Sequence, residues 1–176
     1  VEAIPELYEE LERSIAGYPK QRAVKALATD KDGDSHVIHV ASNHGASSSI
    51  LELHQHRDIW PDIEFVRDIE LESSTLPTAL SRVGLDPSHY DALIVDTQGS
   101  ELMVLRGAEP LFPHLTHIQV EAADFEPYKG CATVAGLCTF LSARGFRLVR
   151  KKKTATHPDG GRYFDLLFRN SACLRY

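Results

Sequence analysis

Two carboxylates in this chain each close an apolar strand pattern. Asp96 ends "DALIVD", residues 91 to 96, and Glu121 ends the apolar run of "THIQVEA", residues 116 to 122. In an open parallel sheet, ligands bind beyond the carboxyl ends of the strands. Both acceptors are therefore expected over one crevice. A carboxylate there is partly desolvated and needs a cation, a donor or a proton. Gln98, Gly99 and Ser100 follow Asp96 and open a helix whose free N–H groups face the same crevice. Gly99 lets backbone approach closely. The alternative reading is that Asp96 or Thr97 caps that helix, with Glu101 favoured in its first turn by the dipole. Capping and catalysis are not exclusive. A third carboxylate, Glu2 in "VEA", closes what reads as a strand, the position from which acidic residues chelate ribose hydroxyls. His44, in the loop "SNHGASSSI", has an ordinary pKa near ~6.5 and suits proton transfer; as a loop residue it is also a candidate for plain solvation.

The elements that must position these groups alternate in type. Residues 5 to 16 read as a helix, with Leu7, Tyr8, Leu11 and Ile15 on one stripe and Pro5 in the first turn. "AVKALATD" (23–30) and "SHVIHVAS" read as strands around the turn "KDGD". "IEFVRDIEL" alternates with period two, another strand. "STLPTALSRVG" is a short helix capped by Ser74 or Thr75. Then come strand 91–96, helix 99–106, strand 116–122 and the amphipathic helix "CATVAGLCTFLSARG". "FRLVRKKK" and "GRYFDLLFRN" close the chain as a hairpin across "THPDGG". Strands alternating with helices imply an α/β domain with a mainly parallel sheet, covered on both faces, with the hairpin adding an antiparallel edge. No linker or repeat interrupts residues 1–176, so a single domain is expected.

Composition narrows the function classes. The 176 residues are 43% hydrophobic and 25% charged, which suits a globular domain. The net charge of −6 argues against broad nucleic-acid binding. No apolar run approaches the ~18 residues of a membrane span. There is no signal-peptide pattern, and three cysteines (131, 138, 173) form no disulfide framework, so a reducing, cytoplasmic setting is expected. The cysteines are expected to pack as small apolar groups, Cys131 at a helix start being the candidate for reactivity. The pairs His36/His39 and His54/His56 lack accompanying cysteines, and no metal site is expected. "RKKK" at 150–153 reads as a strand edge blunted by charge.

The stretch "LIVDTQGSELMVLRGAEPLF" followed by "IQVEA" resembles the strand–helix–strand signature of the FkbM-type methyltransferases. The matching positions are Asp96, Gln98, Gly99, Ser100, Glu101, Leu102, Leu105, Gly107, Ala108, Glu109 and Glu121. "VEAIPELYEEL", "ALATDKDGDSHVIHV", "SNHGASSSI" and "LCTFLSARGFRL" are similar to flanking family segments. The resemblance implies a Rossmann-like methyltransferase sheet, S-adenosylmethionine as cofactor, and methyl transfer to a hydroxyl of a small molecule such as a sugar or polyketide-like natural product. It implies Glu2 at the ribose, Asp30 near the adenine, and Asp96 with Gln98 bordering the methionine and the substrate. An alcohol acceptor needs a proton acceptor, for which Asp96, Glu121 and His44 are the candidates. Asn43, Ser47 and Ser48, with Glu101, are the candidate acceptor-binding residues. Two departures stand out: the family's first strand and glycine-rich loop are absent, so the given chain is expected to be a fragment, and Pro77 replaces a customary aspartate. An alternative function is a non-catalytic interaction domain that keeps the scaffold and pairs an open sheet edge with another chain, including a homo-oligomer. An unrelated α/β hydrolase is disfavoured by the missing Gly-x-Ser-x-Gly elbow.

Overall fold

The computed structural model describes residues 1–174, with side chains through Ala172; the expectation for the Cys173 side chain lies outside them. Helix α1 (Pro5–Ile15) starts at a proline, whose missing N–H costs nothing in the first turn. The Glu2 carboxylate accepts from Ile4 N–H at 2.8 Å just ahead of it. Ile4 and Leu7 then pack on Ile38 and Val40 in a small core.

Strand β1 (Leu27–Ala28) is shorter than the run 23–30 implied. Its alanines carry little surface to pack, and residues 24–26 instead bracket Glu2, with Glu2 N–H donating to Val24 O and Ala26 N–H to Glu2 O. β2 (Ser35–Ala41) and β3 (Phe65–Ser74) pair antiparallel, with Ile38 opposite Ile69, and β1 joins β3 in parallel. Between β2 and β3 lies only the single-turn helix α2 (His56–Ile59). A parallel crossover needs a dozen or more ordered residues, usually a full helix, which explains why this pair runs antiparallel. Helix α3 (Leu76–Arg82) is capped by Thr75, which accepts from Thr78 N–H, and Asp32 braces the same turn through Thr75 N–H at 2.8 Å and Thr78 Oγ1 at 2.9 Å.

The second sheet has the order β4 (Ala92–Val95), β5 (His117–Ala123), β7 (Arg162–Asn170), β6 (Phe146–Thr156). Only β4 and β5 are parallel in it; the hairpin is antiparallel as expected. On β5, Ile118, Val120 and Ala122 are buried, whereas residues 117, 119 and 121 are part-exposed. The buried set meets α4 (Glu101–Gly107) through Val104 and Leu105, and α5 (Val134–Ser142) through Leu137 and Leu141. β6 forms the edge, with Arg150 to Lys153 exposed, and Lys151 lies over the Phe164 ring at 3.7 Å.

The architecture therefore corrects one expectation. It is α/β, but it holds two mixed sheets rather than one mainly parallel sheet covered by helices on both faces. The physical reason is the separation between β4 and the Val1–Ala3 segment. β4 pairs only with β5 among the described residues, and Val1–Ala3 faces Leu93–Val95 across a cavity rather than through a ladder. Ile94 is 73% exposed as a result.

The two halves meet where α4 ends. A Cβ on Gly107 would lie 2.0 Å from Thr29 O and 3.1 Å from Asp30 Cα, so backbone fills the space a side chain would take. Gly107→Ala is expected to lower stability by about 3 kcal/mol, the scale of overpacking a tight contact. Urea unfolding checks this; a loss under about 0.5 kcal/mol, typical of an indifferent surface site, would contradict the contact.

Candidate functional site

The register of β4 on β5 sets Val95 opposite Val120. Asp96 and Glu121, one residue further along each strand, therefore emerge together at the carboxyl end. Gln98 joins them: its Nε2 donates to Asp96 Oδ1 at 2.5 Å and to Glu121 Oε2 at 3.3 Å. Gln98 holds φ +53°, a left-handed backbone that costs a non-glycine residue on the order of 1–3 kcal/mol and concentrates at functional sites. The turn survives this because Glu101, 4% exposed, reaches back into it. Its Oε1 accepts from Thr97 N–H and Gly99 N–H, both at 3.0 Å, and Oε2 accepts from Gly99 N–H at 3.1 Å. Gly99, at φ +103°, presses on Tyr128, whose Cβ would lie 2.8 Å from any Cβ added there.

Three acids in so small a volume disturb one another. Burial first, then the negative charges of Asp96, Glu101 and Asp165, push the Glu121 carboxyl from 4.5 up to about 7, while the Gln98 hydrogen bond pulls the other way. Burial also raises Glu101, opposed by its backbone N–H donors. Glu121 can thus carry or release a proton near neutral pH, which is what a general acid–base group requires.

A cavity of about 360 Å³ lies between the sheets. Its walls include Glu2, Asp96, Thr97, Gln98 and His44 with apolar Ile4, Leu27, Ile38 and Val104. Glu121 is not in that lining; it lines a separate small recess together with Gln98, Gly99, Glu101 and Tyr128. His44 is at the cavity mouth, its side chain 77% exposed, with Nε2 3.0 Å from Glu10 Oε2. Asn43 and Ser47 spend their polar groups on each other, Asn43 Nδ2 donating to Ser47 Oγ and Oδ1 accepting from Ser47 N–H. Ser48 Oγ accepts from Ala41 N–H and lines the cavity. Asp30 sits beside Gly107, outside the cavity lining. Glu101 faces the turn and not an open surface, since backbone amides occupy both its oxygens.

Two further residues brace Gln98. Ser49 donates to Gln98 O at 2.7 Å, tying the serine-rich loop to the turn. Tyr128 is 1% exposed, and its hydroxyl reaches Gln98 Oε1 at 2.7 Å and Ser47 O at 3.2 Å. Nothing in "FEPYKG" marks it: the segment has no periodicity and lies 30 residues beyond Gln98. The histidine pairs hold no shared site. His54 contacts Glu126 O, while His56 is buried against Trp60 and Tyr128, where desolvation takes it down to about 4. Burial likewise raises the Cys131 thiol, which lowers its reactivity. Among the described residues no group of three His, Cys, Asp or Glu is arranged to hold a metal, and no helix is long and apolar enough to cross a membrane.

The chain is thus an α/β domain whose acids Asp96 and Glu121 converge past parallel strand ends. The model of the methyltransferase FkbM domain matches residues 1–148, most of the chain, and the protein belongs to that methyltransferase family. No curated protein and no solved structure matches it.

Because Glu121 holds its proton more tightly folded than unfolded, its contribution to stability is full below pH 4.5 and is lost as the pH rises through about 7. Glu121→Gln removes that loss. Thermal melts should show the variant gaining on the native protein by about 3 °C between pH 5 and pH 8. Equal pH dependence in both proteins would contradict the raised carboxyl.

Proposed function

We propose that this domain transfers a methyl group from S-adenosylmethionine to a hydroxyl of a small molecule, of the sugar or polyketide-like class. Support comes from family membership and from one observation above all: Asp96 and Glu121 emerge together past the parallel ends of β4 and β5, bridged by Gln98, with Glu2 and apolar side chains lining the adjacent walls. A cationic, amphipathic ligand fits such walls. Thr97 Oγ1, buried in the cavity wall, has no hydrogen-bond partner, and a ligand group would satisfy it.

S-adenosylmethionine, when bound, supplies an electrophilic methyl group on a sulfonium for in-line displacement by the acceptor oxygen. Glu2 is assigned to the ribose hydroxyls; one of its oxygens already accepts from Ile4 N–H, which fixes the carboxylate at the cavity wall. Asp96 offers negative charge to the cation. The apolar walls exclude water, which strengthens these interactions. Asp30 is assigned to the adenine side, beyond the lining. Above pH 7 Glu121 is the assigned base: it takes the acceptor proton at its carboxylate, which Gln98 holds in place. Asn43, Ser47 and Ser48 shape the acceptor side, and His44 at the mouth is a second, solvent-linked proton acceptor. Holding reactants in line supplies much of the acceleration in such transfers.

A second reading is a scaffold that keeps the fold and associates with another chain through a strand edge. Calorimetry with S-adenosylhomocysteine separates the two. The methyltransferase reading expects saturable binding that Glu2→Gln weakens by about tenfold, the worth of one charge-assisted hydrogen bond. No heat at millimolar ligand, together with a stable dimer on sizing chromatography, would favour the scaffold instead. Unchanged affinity in Glu2→Gln would remove the ribose assignment.

A further inference from the structure

The amide of Gln98 has two ends, and the site depends on which end faces the acids. As arranged, Nε2 meets Asp96 and Glu121, and Oε1 meets the Tyr128 hydroxyl. Rotating the amide by half a turn would set its oxygen against two carboxylates, which is repulsive unless a proton sits between them. Something must decide the orientation. Asp96 and Glu121 alone decide it only while they are charged, because a protonated carboxyl can donate to the amide oxygen.

Tyr128 decides it independently of their charge. Its phenol carries one hydrogen and has two acceptors in reach, Gln98 Oε1 at 2.7 Å and Ser47 O at 3.2 Å. The shorter contact takes the hydrogen. Burial raises the phenol far above the usual tyrosine range, so it remains a donor at every working pH. The ring cannot drift: it packs against Gly99 on one side and His56 on the other, and Leu53 bridges the Tyr128 backbone.

We propose that Tyr128 is the positioning residue of the site, its hydroxyl locking the Gln98 amide so that the NH₂ group always serves the Asp96–Glu121 pair. It acts through Gln98 and touches neither acid nor reactant. The consequence for methyl transfer rests on the function proposed above; the lock itself does not. With the amide fixed, the charged form of Glu121 keeps a donor, which favours proton release. The titratable groups facing Glu121 are Asp96 beyond β4, Glu101 on α4, Asp165 and Tyr163 on β7, and Tyr128 and Cys131 in the loop after β5.

Tyr128→Phe tests this, since phenylalanine keeps the ring and its packing and removes only the hydroxyl. Carbon-13 NMR of glutamate-labelled protein follows Glu121, assigned by its loss in Glu121→Gln, with no cofactor or acceptor present. The lock predicts that Tyr128→Phe moves the Glu121 titration upward by about one pH unit, because the freed amide can turn its oxygen toward the protonated carboxyl and so favour the neutral form. Gln98→Asn provides the second arm. Asparagine tolerates the left-handed backbone but falls short of Tyr128, so it should move the titration by a similar amount. The double variant should move it no further than Gln98→Asn alone. An unchanged titration in folded Tyr128→Phe would reduce Tyr128 to packing and overturn the proposal, and so would additive shifts in the double variant. Failure of the methyltransferase reading would appear separately, as absent S-adenosylhomocysteine binding with the titration shifts intact.

Discussion

One side-chain amide is shared between two carboxylates that parallel strand pairing brings together. Val95 opposite Val120 leaves Asp96 and Glu121 no choice but to emerge side by side, and like charges that close are costly unless a donor or proton intervenes. Gln98 is that donor. It reaches both acids only from a left-handed backbone, and the neighbouring residues exist to hold that backbone. Glu101 takes the stray N–H groups, Gly99 gives the chain room against Tyr128, and Ser49 anchors the Gln98 carbonyl. Removing any one leaves buried polar groups without partners, which is why the turn, the serine-rich loop and the Tyr128 loop act as one body.

The same constraint connects fold to chemistry. A carboxyl poised near neutrality is a stability liability at high pH and an asset for proton transfer. The core beneath it, from Ile118 and Val120 to Leu137 and Leu141, is fully buried and rigid enough to support that liability. The cavity side is different. Its walls come from two sheets that share no ladder, with Val1–Ala3 on one side and Leu93–Val95 on the other. The paired acids thus sit on the well-packed sheet, whereas the opposite walls belong to the smaller unit, which meets it at Gly107.

Much of this was legible in the residues. "ALIVD" and "HIQVEA" are too apolar and too short to be anything but strands, and their acids mark the strand ends, although only Val95 of β4 is buried. Thr75 and Pro77 announced a helix start, and lysines announced the β6 edge. The split sheet was not legible, because alternation of strand and helix does not by itself tell a parallel crossover from an antiparallel return. The segment between β2 and β3 has the length for one but forms only a single helical turn, His56–Ile59. Tyr128 was hidden for another reason. Its role follows from a contact across 30 residues of sequence, and no local pattern encodes which amide end it will meet. Glu101 was legible in part: the dipole favours it in a first turn, but no local pattern tells that its carboxylate folds back onto the Thr97 and Gly99 amides.

The most direct test of the account is a crystal structure of the protein soaked with S-adenosylhomocysteine. It should show the ligand between Glu2 and Asp96, with the Gln98 amide within hydrogen-bond distance of both Asp96 and Glu121. Ligand density elsewhere, or Asp96 and Glu121 pointing to different sides of the molecule, would contradict it.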